Sequence, residues 1–144
     1  MIFGKRERRI QRILIVEDEP LVAFDNENML QDADYEVVAT VDCYADAAAA
    51  IAAHEIDLVL TDLGLRGEGD GTDVARLAAA KGIPALLVSG NCTADAERLV
   101  VGCLAKPYAE RDLVGALAAI DDYLQGRATK RPPAGLKLFG LQDL

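Results

Sequence analysis

Ile56-Asp57-Leu58-Val59-Leu60-Thr61-Asp62 is a largely apolar run that ends on a carboxylate. Three other runs have the same form. Ile13-Leu14-Ile15-Val16 ends in Glu17-Asp18, Ala85-Leu86-Leu87-Val88 in Ser89, and Cys103-Leu104-Ala105 in Lys106-Pro107. Short apolar runs bounded by turn signals read as buried strands. Strands buried on both faces belong to parallel sheets. In an open parallel sheet the C-terminal strand ends share one edge, and ligands bind there. These four runs therefore deliver an acid pair, an acid, a hydroxyl and an amine to one edge. Such a set suits a divalent cation and a phosphoryl group.

Helical segments alternate with these runs. Asp18-Glu19-Pro20 leads into the first helix, because proline suits a first turn where its missing N–H costs nothing. Leu21, Val22, Phe24, Met29 and Leu30 are its expected apolar side, with Asp25 to Asn28 largely outside. A short strand over 36–41 follows, and Asp42 is the expected N-cap of an alanine-rich helix to about Ala53. His54 at its end reads as a surface residue rather than a ligand. The loop 64–71 is glycine-rich but lacks the Gly-Lys-Ser/Thr ending of a nucleotide-binding loop. A helix with Val74, Leu77 and Ala78 on one face stops near Lys81-Gly82. The last helix starts near Glu110, carries Leu113, Leu117, Ile120 and Leu124 in one stripe, and closes at Gly126. Successive βα units predict a three-layer, doubly wound α/β fold with a five-stranded parallel sheet.

At 144 residues the chain is one domain by length. The expected boundaries are a basic N-terminal extension over 1–11, the α/β domain over 12–125 and a C-terminal tail over 126–144. Lys5, Arg6, Arg8, Arg9 and Arg12 outweigh Glu7 near the start, and Arg127, Lys130, Arg131 and Lys137 outweigh Asp143 near the end. The net charge of −9 therefore leaves −16 for an acidic body over 13–125, once the +4 and +3 of the two ends are set apart. That body is a poor match for nucleic acid, whose affinity rests on cationic contacts with phosphate. Short charged ends read as solvated. Pro132-Pro133 marks a linker, and Leu136, Leu138, Phe139, Leu141 and Leu144 make the end apolar again. The tail reads as flexible, with docking onto a groove of this or another subunit, such as a homodimer, as the alternative. Cys43, Cys92 and Cys103 form no CxxC pair, so zinc and a disulfide framework are not expected, and Cys92 and Cys103 read as small packing residues. An odd cysteine count suits the cytoplasm. No apolar run approaches ~18 residues, so no membrane helix is expected.

Glu17, Asp18 and Asp62 would repel one another if left bare. Mg²⁺ resolves this, being hard, octahedral and satisfied by carboxylates, water and phosphate oxygens. The backbone carbonyl of Gly64 could add a ligand. Asp62 is then a plausible nucleophile toward phosphorus, since carboxylates do form aspartyl phosphates. Lys106 fits as a compact charge on the transferring oxygens, and Ser89 as a hydrogen-bond donor to them. Asp57 lies inside the strand and is left out of the site. An acid pair after a strand is by itself often only a helix start. The specificity comes from all the groups occurring together, each at a strand end.

Residues 12–125 resemble the receiver domain of bacterial two-component response regulators. The resemblance lies in Ile-Leu-Ile-Val-Glu17-Asp18-Glu-Pro, Leu-Val-Leu-Thr-Asp62-Leu-Gly-Leu, Leu-Leu-Val-Ser89-Gly and Leu-Ala-Lys106-Pro-Tyr. It implies strand order 2-1-3-4-5. It also implies that Asp62 accepts a phosphoryl group from a sensor histidine kinase or phosphotransfer protein, with Mg²⁺ held at Glu17, Asp18, Asp62 and the Gly64 carbonyl. Ser89 and Lys106 would sense the phosphoryl group. Gly90, Cys103 and Tyr108 would form the switch region. The pattern departs from the family in two places. Cys103 stands where the family commonly has a switch aromatic, and Tyr108 follows the lysine instead. The connection from Ser89 to Lys106 is short, leaving about 7 residues, or ~10 Å, of helix. A short, irregular or missing fourth helix is expected, as in a group of stand-alone regulators with a Thr-Gly-aromatic signature, here Ser89-Gly90-Asn91. The tail is too short for a helix-turn-helix module, so output through protein contacts or a phosphate-sink role is expected, without direct DNA or membrane binding.

Two other readings compete. A haloacid-dehalogenase-type phosphohydrolase also uses an Asp nucleophile, but the second acid of Asp-x-Asp is here Gly64. A receiver-fold scaffold without phosphorylation would have no use for clustered acids. The chain is therefore expected to be a phosphoacceptor rather than an enzyme.

Overall fold

The computed structural model describes residues 8–90, 99–128 and 131–139. The elements are β1 (Arg12–Val16), α1 (Pro20–Asp32), β2 (Glu36–Val41), α2 (Tyr44–Ala53), β3 (Leu58–Asp62), α3 (Gly71–Ala80), β4 (Ala85–Ser89), β5 (Gly102–Ala105), α4 (Glu110–Leu124) and β6 (Leu136–Leu138). The sheet order is β2-β1-β3-β4-β5-β6. The first five strands are parallel and in the expected order. The connection between β4 and β5, expected to be short or irregular, lies mostly in 91–98, outside the described residues.

Strand composition explains the layering. β1, β3 and β4 are buried along almost their whole length, so each needs cover on both faces. On one face Ile13, Ile15, Leu58, Leu60, Leu86 and Leu104 pack with Leu30 of α1 and with Leu113, Leu117 and Ile120 of α4. On the other, Leu14, Val16, Val59 and Leu87 pack with Ala47 and Ile51 of α2 and Val74 and Ala78 of α3. The period of two along each strand sends successive side chains to opposite layers. Among the described residues no helix is long and apolar enough to cross a membrane.

Several expectations need correction. In α1, Leu21 and Phe24 are 80% and 61% exposed, while Ala23, Asn26 and Leu30 face inward. The inward face follows three- and four-residue spacing through small and polar side chains, which an apolar count overlooks. In α2 the N-cap is Cys43, not Asp42, and no side chain caps it. Residues 8–11 pack against the domain rather than simply lying in solvent. Ile10 is fully buried, and the Arg8 guanidinium lies 4.1 Å from the Tyr35 ring centre and donates to the Ala33 carbonyl at 3.0 Å.

The tail contributes the sixth strand. β6 runs antiparallel to β5, pairing Leu138 with Gly102 and Leu136 with Leu104. Leu136 and Leu138 pack onto the α1/α4 face, and Phe139 onto the opposite face. A Cβ on Gly102 would come within 2.7 Å of the Lys137 carbonyl, so close approach of the tail needs glycine there. Of the alternatives for the tail, docking onto this same chain is the one observed.

Candidate phosphoacceptor site

Strand register brings the polar ends together. Val16 pairs with Thr61, Asp62 with Val88, and Ser89 with Ala105. The next residues along β1 and β5, Glu17 and Lys106, therefore emerge at the same edge as Asp62. Carboxylate oxygens of Glu17, Asp18 and Asp62 lie within 4.8 Å of one another. The Lys106 ammonium is 3.1 Å from Asp62 Oδ2 and 3.8 Å from Glu17 Oε1.

Backbone contacts fix these groups. The Leu63 N–H donates to Asp62 Oδ1 at 2.9 Å, and the Glu19 N–H to Glu17 Oε2 at 3.0 Å. The Gly71 N–H donates to the Leu63 carbonyl at 2.7 Å, clamping the start of α3 beneath Asp62. A Cβ on Gly71 would run into the Asp62 carbonyl, so the clamp needs glycine. Asp70 and Asp73 then form a capping box, with Asp70 accepting from the Thr72 and Asp73 N–H groups and Asp73 accepting from the Asp70 N–H. The glycine-rich loop thus ends in a firm helix start. The Lys106 N–H donates to the Ser89 carbonyl at 3.0 Å, locking the ends of β4 and β5 together.

Electrostatics follow from the crowding. Burial pushes the Glu17 carboxyl up, to about 7, and the neighbouring Asp62 and Asp18 add to this; the Glu19 N–H and Lys106 oppose it. Burial pulls the Lys106 ammonium down, but its hydrogen bond to Asp62 and the charges of Asp62 and Glu17 outweigh this, leaving it above the ordinary lysine value. Three carboxylates crowded at one edge, one of them buried, are a donor set that a hard dication fits.

The expected site residues are placed as follows. Glu17, Asp18, Asp62 and Lys106 come together. Ser89 is buried at the end of β4, and Gly64 lies two residues beyond Asp62 with open space where a Cβ would be. Gly90 is exposed just beyond β4. Cys103 is fully buried and disulfide-bonded, whereas Cys43 is free. The packing role expected of Cys103 is corrected to that extent, because sequence spacing does not show which sulfurs approach in space. Cys92 lies outside the described residues. The Tyr108 hydroxyl donates to Asn26 Oδ1 of α1 at 2.9 Å. Asn26, expected with its neighbours on the outer side of α1, is instead buried; its three- and four-residue spacing from Ala23 and Leu30 is the signal that places it inward. Asp57, left out of the site, accepts from the Gln11 and Arg12 N–H groups at 2.9 and 2.8 Å, so its role is to hold the entry to β1.

The family model of the response regulator receiver domain matches residues 13–118. The chain belongs to the response regulator receiver family. Solved structures agree on the fold. SdrG from Sphingomonas melonis Fr1 is 35% identical, with 79% of this chain and 98% of that one covered at a TM-score of 0.66. The signal receiver domain of a modulated diguanylate cyclase from Desulfovibrio desulfuricans G20 is 26% identical, with 81% and 97% covered at 0.71. A CheY-like receiver domain protein from Methanospirillum hungatei JF-1 is 21% identical, with 81% and 98% covered at 0.67. A comparison with curated proteins finds no match.

Proposed function

We propose that this receiver accepts a phosphoryl group on Asp62 from the phosphohistidine of a sensor kinase or phosphotransfer protein, in a Mg²⁺-dependent reaction. The observation that carries the reading is Asp62 itself. Its side chain is 15% exposed, its Oδ2 is 3.1 Å from Lys106, and two further carboxylates lie within 4.8 Å. Glu17, Asp18, Asp62 and the Gly64 carbonyl would hold the ion, which supplies positive charge to the phosphoryl oxygens. An Asp62 oxygen forms the new O–P bond as the P–N bond of the donor breaks, and the electron pair leaves with the imidazole nitrogen. Lys106 offers its ammonium to the incoming oxygens, and Ser89 its hydroxyl. The protein turns over no separate substrate and works in the cytoplasm, beside kinases supplied with ATP. Its output runs through protein contacts, or it drains phosphate from its kinase.

Incubation with acetyl phosphate or a candidate kinase, with and without Mg²⁺, followed by intact mass, tests this. One added phosphoryl group that needs Mg²⁺ and disappears in Asp62→Asn is expected. Addition that survives Asp62→Asn overturns it. Steady turnover of an unrelated phosphomonoester would point instead to a phosphohydrolase.

A further inference from the structure

We propose that Tyr108 and Asn26 form a strut that sets where the Lys106 ammonium stands between Glu17 and Asp62. The inference rests on the phosphoacceptor reading of that site. Loop 106–109 joins β5 to α4. Its start is fixed by the Lys106 N–H on Ser89, and its end by the Ala109 N–H on Asp112 Oδ2 at 2.9 Å. Between these, the Tyr108 hydroxyl reaches across to Asn26 at 2.9 Å. Asn26 is 4% exposed and is the buried polar residue of α1. α1 begins immediately after the loop that carries Glu17 and Asp18. One hydrogen bond therefore joins the element that follows the acids to the loop that carries the cation.

The lysine needs such a support. Its four-carbon stem is flexible, and its head faces two acids at 3.1 and 3.8 Å. When a dication and a phosphoryl group enter, the ammonium must leave part of this pairing for the phosphoryl oxygens. With the loop braced against α1, that shift involves side-chain torsions alone. Without the brace, the loop can follow the lysine toward the acids, and the cation then competes with the metal or misses the phosphoryl group.

The competing explanation is that Tyr108 and Asn26 merely satisfy each other as buried polar groups, since leaving one unpaired is unfavourable in its own right. Two measurements separate these. Mg²⁺ affinity, followed by amide shifts of the full-length protein, requires no phosphorylation. The initial rate of phosphorylation by acetyl phosphate does. Tyr108→Phe, which keeps the ring, is expected to change Mg²⁺ affinity and phosphorylation rate by about 3- to 10-fold, the size of one neutral hydrogen bond. In a Lys106→Ala background the same substitution should change neither, because the residue through which it acts is gone. Asn26→Leu combined with Tyr108→Phe replaces both polar groups by apolar ones. It should recover folding stability while leaving the Mg²⁺ and rate effects in place.

Equal effects of Tyr108→Phe with and without Lys106, or full recovery of Mg²⁺ affinity and rate in the Leu/Phe pair, would overturn the strut. Coupling seen in Mg²⁺ affinity without any phosphorylation would keep the strut and overturn the phosphoacceptor reading. No Mg²⁺ binding at all would overturn both.

Discussion

Glu17→Gln should stabilise the metal-free protein at neutral pH and leave it almost unchanged near pH 4. The Glu17 carboxyl is 4% exposed and pushed up to about 7 from an ordinary 4.5, first by burial and then by Asp62 and Asp18. Between those two values the unfolded chain has lost a proton that the folded chain still holds. Stability therefore falls as pH rises from about 4.5 to about 7, then levels off. A shift of that size corresponds to roughly 3 kcal/mol. Glutamine mimics the protonated acid: its carbonyl can still accept from the Glu19 N–H, and Lys106 keeps Asp62. The difference between variant and wild type should grow from near zero at pH 4 to roughly 3 kcal/mol at pH 8, a shift of about 1–2 M in the urea midpoint with an unchanged slope. The assay is urea unfolding in EDTA at fixed ionic strength, repeated with Mg²⁺. Saturating Mg²⁺ should narrow the gap, because it binds the folded wild type better than the variant. Parallel pH curves for the two proteins in EDTA would refute the assignment of strain to Glu17.

Two further substitutions probe what holds the site and the tail. Gly71→Ala sets helix propensity, which favours alanine by up to about 1 kcal/mol, against collision with the Asp62 carbonyl. Net destabilisation of about 1–3 kcal/mol by thermal or urea unfolding is expected, together with weaker Mg²⁺ binding; a stabilised protein would show that the clamp yields freely. Leu138→Asp should release β6 at a cost of about 1–2 kcal/mol and speed trypsin cleavage after Lys137, whereas an unchanged cleavage rate would mean the strand does not depend on that side chain.

The central strands and their polar ends were legible because parallel strands are apolar throughout and stop where a functional group stands. The strand order could then be anticipated from the family, and β1, β3, β4 and β5 deliver their ends as expected. What stayed hidden depended on three-dimensional neighbours. β6 does carry the alternation of a strand, with Leu136 and Leu138 on one side and Phe139 on the other, but three residues are too few to stand out beside a Pro-Pro linker. Asn26 and Tyr108 are 82 residues apart, and only the fold brings them together. The disulfide state of Cys103 and the clamp at Gly71 are contacts of the same kind.

These hidden contacts share a chemical character that bears on how the site works. The charged groups at the edge do not hold themselves in place: Glu17 is strained by its surroundings, and Lys106 has two acids to choose between. Their positions come from neutral or backbone contacts, namely the Leu63 N–H on Asp62, the Gly71 N–H on Leu63, the Lys106 N–H on Ser89 and the Tyr108 hydroxyl on Asn26. Each of these satisfies a group that would be unfavourable to bury alone, and apart from the Leu63 N–H, whose acceptor is Asp62 itself, none needs the carboxylates for its own stability. Under the proposed function, the carboxylates and the ammonium are thereby left to respond to a cation and a phosphoryl group. A cation that binds the Glu17 carboxylate offsets both its burial, the larger cost, and its repulsion from Asp62 and Asp18. Under that function, tight placement by neutral and backbone contacts would let a small change at Asp62 alter the balance at Lys106, which stands 3.1 Å away.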